Sequence, residues 1–337
     1  MKTHGNLLPL YHPNLIRGML SVKYQEFSLP PLQENEVLIR TAYASINPSD
    51  IAFMQGAYGI TKPLPVVPGF EASGTIIRCG LNMTHLHGKK VAAFVQENHQ
   101  GTWAEHFIAN ENDIILLQEQ LPIKKAAALA INPLTAYALM QTAKELSVKA
   151  MIQNAAGGLV GKWIRFFTRK MNIPLINIVR KEETKVKLLA TEKYVLNSQD
   201  KDFPDQLKSL SNQLNVNVVL DAVAGEETAF LMDALPPANK ANIIVYGGLA
   251  GKNIQNIDPI KIIFQEKNIL GFNLPHWKKN KSFAEITNIF EEIQHDIIHH
   301  PQLISIRKIE NGRDLKSALK DYIKNMSEGK ILLRFAE

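Results

Sequence analysis

The sequence predicts an α/β protein in which a doubly wound, parallel sheet of six strands follows a β-rich region. Residues 1–121 contain short runs of alternating apolar residues, separated by clusters of Pro, Gly and Asn. From Lys124 onward, helical patterns alternate with short apolar runs. Six such runs with helical patterns between most of them are typical of a parallel sheet covered by helices on both faces.

Length and composition agree with a folded protein of two domains. The chain has 337 residues, of which 45% are hydrophobic and 21% are charged. No uninterrupted apolar run approaches the ~18 residues of a membrane-spanning helix, so no membrane partner is expected. The N-terminal residues lack the charged and then apolar layout of a secretory signal. A cytoplasmic enzyme is therefore the expectation.

The charged and sulfur-containing residues narrow the classes of partner. The single cysteine, Cys79, rules out an intramolecular disulfide and a zinc site built on several thiolates. The net charge of +6 comes from 38 basic and 32 acidic residues spread along the chain. Local basic clusters are small, such as Lys278, Lys279 and Lys281. This distribution favours an anionic small molecule over nucleic acid as the partner.

The N-terminal elements follow from alternation and turn residues. Strand-like runs are predicted at residues 36–45, 72–80, 89–95 and 105–109. The next segment, residues 124–146, is predicted to be helical. Asn132 is expected to cap a helix within it, with Pro133 at the first helical position.

The alternating elements come next, followed by a tail. The predicted strands are residues 149–154, 173–180, 194–198, 215–223, 241–248 and 268–273. Predicted helices between them are residues 163–171, 181–192, 203–214 and 226–235. The tail from Trp277 contains two helical and two strand-like patterns and is expected to complete the sheet of the first domain. The predicted domains are therefore residues 1–121 with 273–337, and residues 122–272.

A glycine-rich turn separates the first of these strands from its helix. In a doubly wound sheet this turn binds pyrophosphate through free N–H groups and the helix dipole. Ala155 and Leu159 depart from a regular G-x-G-x-x-G, so a simple tight bend is the alternative interpretation. The predicted cofactor-binding residues here are Asn154, Gly157, Gly158, Val160 and Gly161.

Basic residues at the end of the second strand indicate which nicotinamide cofactor is used. A carboxylate at this place favours NAD by binding the ribose 2′-OH, whereas Arg accommodates the 2′-phosphate of NADP. Arg180 and Lys181 come first here, about 20 residues beyond the glycine turn. Glu182 and Glu183 follow and also suit the first turn of a helix. The sequence therefore favours NADPH over NADH.

Seven segments, taken in order, resemble one known family. They are INPSDIAFMQGAYG, GTWAEHF, AINPLTAYALM, IQNAAGGLVG, INIVRKEE, VYGGLAGK and LGFNLPHWKKN. Over nearly its full length the chain resembles a medium-chain dehydrogenase/reductase. It is most similar to the mitochondrial-type trans-2-enoyl thioester reductases of fatty acid metabolism, with the quinone oxidoreductases next. The resemblance implies a GroES-like β-rich catalytic domain, a six-stranded Rossmann domain and a homodimer.

The zinc ligands of related dehydrogenases are missing. Zinc-dependent relatives carry Gly-His-Glu where this chain has Gly69-Phe70-Glu71. They also use a Cys ligand in the segment that here contains Asn47, and their four-cysteine structural lobe is absent. No metal is therefore expected. His85 and His87 are interpreted as part of a solvated turn.

Without a metal, another group must stabilise the negative charge that develops on the substrate oxygen. Enoyl reductases use a Tyr in an Asn-Tyr-Gly stretch, and the resemblance assigns this role to Tyr58. The alternative is that Tyr58 packs a glycine-bounded loop. Resemblance also places Asn47 near the nicotinamide as a second catalytic candidate, and Thr135 in the nicotinamide pocket. The remaining cofactor-binding candidates by resemblance are Tyr246, Gly247, Phe272, Asn273 and Lys330, the last near the C-terminus.

Two departures leave the substrate open. VVPGFEASG is closer to the quinone reductase pattern, and Asn273 replaces an aromatic residue common in enoyl reductases. The expected substrate is a trans-2-enoyl thioester of coenzyme A or acyl carrier protein. A quinone is the alternative on the same scaffold. A third possibility is a catalytically weak NADPH-binding protein.

Overall fold

The structure, a computed structural model, describes residues 1–96 and 100–335. It divides the chain into two compact units. The first unit consists of Met1–Leu134 and Ser282–Glu337, and the second consists of Thr135–Lys281. Strands dominate the first unit, whereas short strands alternate with helices in the second.

The divisions between units fall later in the chain than the predicted ones, which come after residues 121 and 272. A hydrogen bond explains the first difference. The backbone N–H of Ala130 donates to Glu71 Oε1 at 2.6 Å and ties the segment before Thr135 to the first unit. Helical periodicity begins before this segment ends, so the sequence pattern alone does not show the division.

The helices and strands have the following bounds in chain order. The first part of the chain forms β1 (Lys2–Leu7), α1 (Leu15–Ser21), β2 (Lys23–Ser28), β3 (Glu36–Ser45), α2 (Pro48–Met54), β4 (Glu71–Cys79), β5 (Lys90–Phe94), β6 (His106–Asn110), β7 (Ile114–Leu116) and α3 (Ile123–Ala126). The middle part forms α4 (Asn132–Glu145), β8 (Met151–Gln153), α5 (Leu159–Lys170), β9 (Leu175–Val179), α6 (Glu182–Leu189), β10 (Tyr194–Asn197), α7 (Phe203–Leu214), β11 (Val218–Asp221), α8 (Glu226–Asp233), β12 (Ala241–Val245), α9 (Pro259–Gln265), β13 (Lys267–Gly271) and α10 (Leu274–Lys279). The last part forms α11 (Phe283–His299), β14 (Ile306–Asn311), α12 (Leu315–Lys324) and β15 (Lys330–Arg334).

The first unit is built on a largely antiparallel sheet of seven strands among the described residues. Their order is β14-β15-β3-β4-β5-β7, with β6 also paired to β3, while β1 and β2 form a separate two-stranded sheet. Strand β3 pairs with three partners because it runs for ten residues and bends at irregularities in its register with β4. Its central position makes it the scaffold for the residues that follow it.

The C-terminal tail returns to this sheet, as the sequence predicts. Strand β15 pairs antiparallel with β3 in a register that places Leu332 opposite Ser45. Ile331, Leu332 and Leu333 are fully buried, which accounts for the apolar run near the C-terminus. The first residue of β15, Lys330, thereby lies beside the end of β3.

The second unit contains a parallel sheet of six strands in the order β10-β9-β8-β11-β12-β13. This is the doubly wound order, and it confirms the predicted fold class. Strand β8 pairs with β9 on one side and with β11 on the other, so the chain reverses its direction of winding at β8. Ile152, Ile176, Val219 and Ile243 from four neighbouring strands are fully buried in the core. Ligands bind at such a switch point, beyond the carboxyl ends of the strands.

The longest helix in the described part of the chain, α11, begins with a capping box and buries one apolar face. Ser282 accepts the backbone N–H of Glu285, and the Glu285 carboxylate accepts the Ser282 N–H at 2.8 Å. Ile286, Phe290 and Ile293 cover its buried face. Throughout residues 1–96 and 100–335, no helix has both the length and the apolar character needed to cross a bilayer.

Replacing Gly161 with Ala should lower the free energy of unfolding by about 1–3 kcal/mol, although Ala favours helices. A Cβ atom at Gly161 would lie 2.6 Å from the Ala156 carbonyl oxygen, so α5 would have to move away from the glycine turn that precedes it. Gly248→Ala is the matched control, because a Cβ atom there meets nothing within 4 Å. Chemical denaturation measures both variants. Equal stabilities of the two variants would show that α5 does not need this close approach.

Candidate functional site

The glycine turn of the second unit lies between β8 and α5 at the carboxyl edge of the sheet. Gly158 is the N-cap of α5, and no side chain among the described residues caps the helix there. Ala155 adopts a left-handed backbone conformation, with φ of 48°, and its carbonyl accepts the Gly158 N–H at 3.0 Å. The first-turn N–H groups of α5 and the positive end of its dipole are therefore available to an anion. Gly157 lies half-buried in this turn, and Val160 lies half-buried in the first turn of α5.

Two further residues brace the turn from inside the unit. The buried Arg165 guanidinium donates to the Ala156 carbonyl, and its Nε lies 3.4 Å from Glu192 Oε1. Gly161 allows α5 to approach this same carbonyl closely. The predictions from sequence did not include Arg165 and Glu192. Because they lie on separate elements, their pairing leaves no local pattern.

The side chain of Asn154 binds to the neighbouring strand. Its Nδ2 donates to Asp221 Oδ1, and its Oδ1 accepts the Ala222 N–H, both at 2.7 Å. Asp221 also accepts the Thr228 hydroxyl at 2.6 Å and two further backbone N–H groups. Asn154 therefore shapes the turn by joining β8 to β11. Sequence reasoning did not identify Asp221, although its place at the end of an apolar run was a usable signal.

Charged residues lie at the ends of the neighbouring strands. Arg180 and Lys181 are exposed and directly follow β9. Burial raises the pKa of Glu227, and the negative charge of Asp221 raises it further. The positive charge of Arg180 lowers this pKa and so opposes part of the shift. Glu182, in the first turn of α6, accepts a hydrogen bond from Asn197 Nδ2 at 2.9 Å. Arg180 is thus an exposed cation at the carboxyl edge of the sheet. It follows β9, which pairs with β8, and the glycine turn follows β8.

The other predicted cofactor residues of this unit lie along the same edge or nearby. Tyr246 and Gly247 follow β12, and the Tyr246 N–H donates to the Asp221 carbonyl at 2.9 Å. Phe272 and Asn273 follow β13, and Asn273 Oδ1 accepts the N–H of His276 at 2.9 Å, capping α10. Thr135 lies in the first turn of α4.

The carboxyl edge suits a dinucleotide for three reasons. The N-terminus of α5 offers backbone donors, glycine permits close approach, and an exposed Arg follows the adjacent strand. The residues present therefore fit a dinucleotide cofactor.

A buried polar cluster occupies the first unit where β3 meets α2. Asn47 is its central residue, with Nδ2 donating to Ser45 Oγ at 3.0 Å and to Glu71 Oε2 at 3.1 Å. Its Oδ1 accepts from Asn132 Nδ2 at 2.8 Å and from the Lys330 ammonium. Both ends of the Asn47 amide are therefore bonded within the unit. If Asn47 takes part in catalysis, as predicted, it must do so while its amide makes these hydrogen bonds.

Lys330 also lies inside this cluster, at 4% exposure. Its Nζ donates to the Ile46 carbonyl at 3.1 Å and to Asn47 Oδ1. Burial lowers the pKa of Lys330, and the charges of Glu71 and Asp50 oppose this shift. The structure thus gives this ammonium partners in the first unit, whereas the resemblance assigns it to the cofactor.

Asp50 is the second buried carboxyl of the cluster. Its Oδ2 accepts the Asn47 N–H at 2.7 Å, and its Oδ1 accepts the Phe70 N–H at 2.9 Å. Complete burial raises the pKa of Asp50 to about 7, although these hydrogen bonds and Lys330 act in the opposite direction. A carboxyl group in this position can change its protonation state near neutral pH.

Tyr58 lies close to this cluster, in the turn after α2. Its ring stacks on Phe70, with centroids 5.2 Å apart, and its hydroxyl accepts Gln96 Nε2 at 3.0 Å. Burial, followed by the charge of Asp50, raises the pKa of Tyr58, so the phenol stays protonated at neutral pH. Gly59, with φ of 81°, allows the chain to turn there. Sequence reasoning missed Gln96, which contacts Tyr58 across a long separation in the chain.

The described residues contain no group of three or more His, Cys, Asp or Glu side chains placed to hold a metal ion. His87 Nε2 lies 3.1 Å from the Ile77 carbonyl oxygen. Burial raises the pKa of the Cys79 thiol, which favours its neutral form.

Comparisons with known proteins agree with this geometry. Residues 33–119 match the alcohol dehydrogenase GroES-like domain. The mitochondrial enoyl-[acyl-carrier-protein] reductase of Mus musculus is 29% identical over 305 residues, covering 86% of this chain and 80% of that protein.

Solved structures share the fold of the whole chain. A Mesorhizobium loti protein named as an NADPH:quinone reductase has a TM-score of 0.90 at 26% identity, covering 99% of this chain and 98% of that chain. Candida tropicalis Etr1p, a mitochondrial 2-enoyl thioester reductase solved with NADP and crotonyl-CoA, has a TM-score of 0.78 at 22% identity, with coverage of 99% and 100%. At that identity the likeness to Etr1p concerns the fold.

The GroES-like match, the doubly wound unit and these relatives make the protein similar to the medium-chain dehydrogenases/reductases. Its relatives are named as reductases, and they support an oxidoreductase that works with a nicotinamide cofactor. Within this class it is similar to both the enoyl reductases and the quinone reductases. The resemblance noted in the sequence is thereby confirmed.

Arg180→Ala should weaken NADPH binding about tenfold and leave NADH binding nearly unchanged, because only NADPH carries a 2′-phosphate for the guanidinium. Fluorescence titration of each reduced cofactor measures both constants. Arg17→Ala is the control, since Arg17 is an exposed residue of α1 in the first unit. Equal losses for NADPH and NADH would contradict a 2′-phosphate contact.

Proposed function

We propose that the protein is an NADPH-dependent, zinc-independent reductase of an activated carbon–carbon double bond. The proposed substrate is a trans-2-enoyl thioester carried by coenzyme A or acyl carrier protein, as part of fatty acid metabolism. The observation that carries the proposal is Tyr58, a half-buried phenol with a raised pKa beside a buried carboxyl group. The mouse relative is named for enoyl reduction, and Etr1p is solved with NADP and crotonyl-CoA.

The proposed cofactor contacts follow from the second unit. The N–H groups at the start of α5 would hold the pyrophosphate, and Arg180 and Lys181 would hold the 2′-phosphate. Tyr246, Gly247, Phe272, Asn273 and Thr135 remain predicted contacts along the rest of the dinucleotide. When bound, the reduced nicotinamide supplies a hydride.

Tyr58 is proposed to act on the thioester. Hydride addition to the β-carbon moves an electron pair to the thioester oxygen, where negative charge develops. A protonated phenol stabilises that charge by donating a hydrogen bond, and it can deliver the proton that the α-carbon needs. The raised pKa of Tyr58 suits this role, because the phenol keeps its proton until a stronger base forms.

The proposal is tested by initial rates of NADPH oxidation. The substrates are crotonyl and longer trans-2-enoyl thioesters and, for comparison, a simple quinone. Each substrate is measured with and without a chelator. The expected result is chelator-insensitive turnover of the thioesters. Tyr58→Phe should reduce this turnover at least 100-fold while NADPH still binds, since a positioned acid contributes about 10²–10⁴-fold. Tyr24→Phe, which removes a hydroxyl bonded to Glu105, is the matched control. Full thioester activity in Tyr58→Phe would exclude the catalytic assignment.

Quinone reduction is the second candidate, because the Mesorhizobium loti relative named for it shares 26% identity and a TM-score of 0.90. Turnover of the quinone alone, unaffected by Tyr58→Phe, would favour this candidate. It would also leave Tyr58 as a packing residue on Phe70. NADPH binding without oxidation by either substrate would favour the catalytically weak alternative.

We further propose a homodimer formed through the edge of the six-stranded sheet. Strand β13 is the last strand of that sheet in the described part of the chain. The preceding helix, α9, exposes Ile263 by 63% and Phe264 by 74%. An exposed apolar surface beside an open strand edge favours association with a second copy. The Candida tropicalis relative is named as a heterodimer.

Light scattering after size-exclusion chromatography should give the mass of a dimer. Phe264→Glu should shift the protein toward the monomer, because it places a charge in the buried surface of the dimer. Phe283→Glu, at an exposed Phe in the first unit, is the control. A wild-type monomer at micromolar concentration would refute the proposed dimer.

The cytoplasmic location stays a prediction from the sequence. The mouse relative is named as mitochondrial, so the two locations are alternatives. Fractionation of the source cells, with detection by an antibody, distinguishes between them.

A further inference from the structure

Two histidine rings are in contact on the surface of α11, close to its C-terminal end. His295 and His299 are four residues apart, so their side chains are neighbours on one face of the helix. Both residues are exposed, and their ring centroids lie 4.0 Å apart with 33° between the ring planes. Two histidines at this spacing on a helix can bind one metal ion together.

A hydrogen bond determines which nitrogen of His299 is open to a ligand. Its Nδ1 lies 2.8 Å from the His295 carbonyl oxygen. Because a carbonyl oxygen only accepts, Nδ1 carries the proton and donates, and the neutral ring has its lone pair on Nε2. Histidines that bind metals usually donate their other ring N–H to a carbonyl or a carboxylate in this way. Within residues 1–96 and 100–335, no group bonds to His299 Nε2 or to the His295 ring.

The opposite side of α11 holds this part of the helix in place. Gln294, which is 2% exposed, donates through Nε2 to the Leu116 carbonyl at 3.2 Å and accepts the Gln118 N–H at 2.9 Å. Ile293 and Ile297 are buried on the same side. The backbone positions of both histidines are therefore fixed before a metal ion arrives. Binding then has to order little more than two side chains, which favours affinity.

The surroundings of the pair suit a cation with an incomplete set of protein ligands. Glu291 and Glu292 are exposed and precede His295 by four and three residues, so they add negative charge near its face of the helix. The described part of the chain groups no third His, Cys, Asp or Glu with the two rings as a ligand. Water would complete the coordination of an ion held here.

The ligand type indicates which ions can bind. Imidazole nitrogen suits Cu²⁺, Ni²⁺ and Zn²⁺, whereas Mg²⁺ and Ca²⁺ prefer oxygen ligands. Two nitrogens that bind one ion at about 2.0–2.1 Å lie ~3 Å apart. Rings with centroids 4.0 Å apart reach this separation of nitrogens by a small rotation of the side chains. Among these ions, Cu²⁺ is expected to bind most tightly.

We propose that His295 and His299 form a binding site for a divalent transition-metal ion on the surface of the first unit. His299 Nε2 and a ring nitrogen of His295 bind the ion, and it exchanges with the solvent. The site lies on a different element from Phe70, the position where zinc-dependent relatives carry a ligand, and it takes no part in the proposed reduction. A bound ion joins two successive turns of α11 and so stabilises the end of this helix.

The test is a calorimetric titration of the full-length chain, without an affinity tag, with Ni²⁺. One equivalent should bind, and Mg²⁺ should not bind in its place. His295→Ala and His299→Ala should each weaken Ni²⁺ binding about tenfold or more, because the remaining imidazole binds without the second ligand. His300→Ala is the matched control. His300 is exposed and adjacent to the pair, but it is the C-cap residue, at which the helix ends.

Two further measurements report on the site itself. Electron paramagnetic resonance of the one-to-one Cu²⁺ complex should show two imidazole nitrogens in the wild type and in His300→Ala. It should show one in His295→Ala and in His299→Ala. Addition of Ni²⁺ should raise the Tm of the wild type and of His300→Ala, and it should leave the Tm of the other two variants nearly unchanged.

Three results would overturn the proposal. They are the absence of saturable Ni²⁺ binding to the wild type, unchanged affinity in both His295→Ala and His299→Ala, and an equal loss in His300→Ala. Circular dichroism checks that each variant is folded, and His295→Gln and His299→Gln replace any Ala variant that is not. The titration uses neither substrate nor NADPH, so its result does not depend on the proposed reductase function.

Discussion

The pairing of β15 with β3 is the contact on which the chemistry of the first unit depends. It joins the end of the chain to a strand near its beginning and brings the Lys330 ammonium to Asn47. Asp50 and Glu71 are buried beside it, where two unbalanced carboxylates would be costly. Asp50 accepts the backbone N–H groups of Asn47, at the start of α2, and of Phe70, on which Tyr58 stacks. A single strand pairing thus supports the fold and the electrostatics of the unit together.

The second unit offers backbone N–H groups to an anion at the N-terminus of α5. Its turn departs from the regular glycine pattern, yet Ala155 adopts the left-handed conformation that the bend needs. Arg165 and Asn154 brace the turn from inside, so the N–H groups of α5 remain available at the carboxyl edge. Because these donors belong to the main chain, departures from the motif alter the site little.

Relatives named for quinone reduction and for enoyl thioester reduction share this fold. A protonated phenol matters for a reaction that places charge on a substrate oxygen and then needs a proton. The environment of Tyr58 is suited to that need, since burial and a nearby carboxyl group both keep its proton in place. Gln96 directs its hydroxyl, and Phe70 supports its ring. The proposed function therefore rests on a local environment within a common fold.

The sequence by itself determined the alternation of strands and helices and the glycine turn, because these follow from local periodicity and turn residues. The class of protein and the candidate Tyr58 came from resemblance to a known family, carried by seven ordered segments. Only the tertiary structure decided that Lys330 faces inward, that Asn47 is fully bonded and that Arg165 braces the turn. These contacts join distant parts of the chain, and burial then sets their energies. A local sequence pattern shows neither which distant residues come together in space nor which charges become buried.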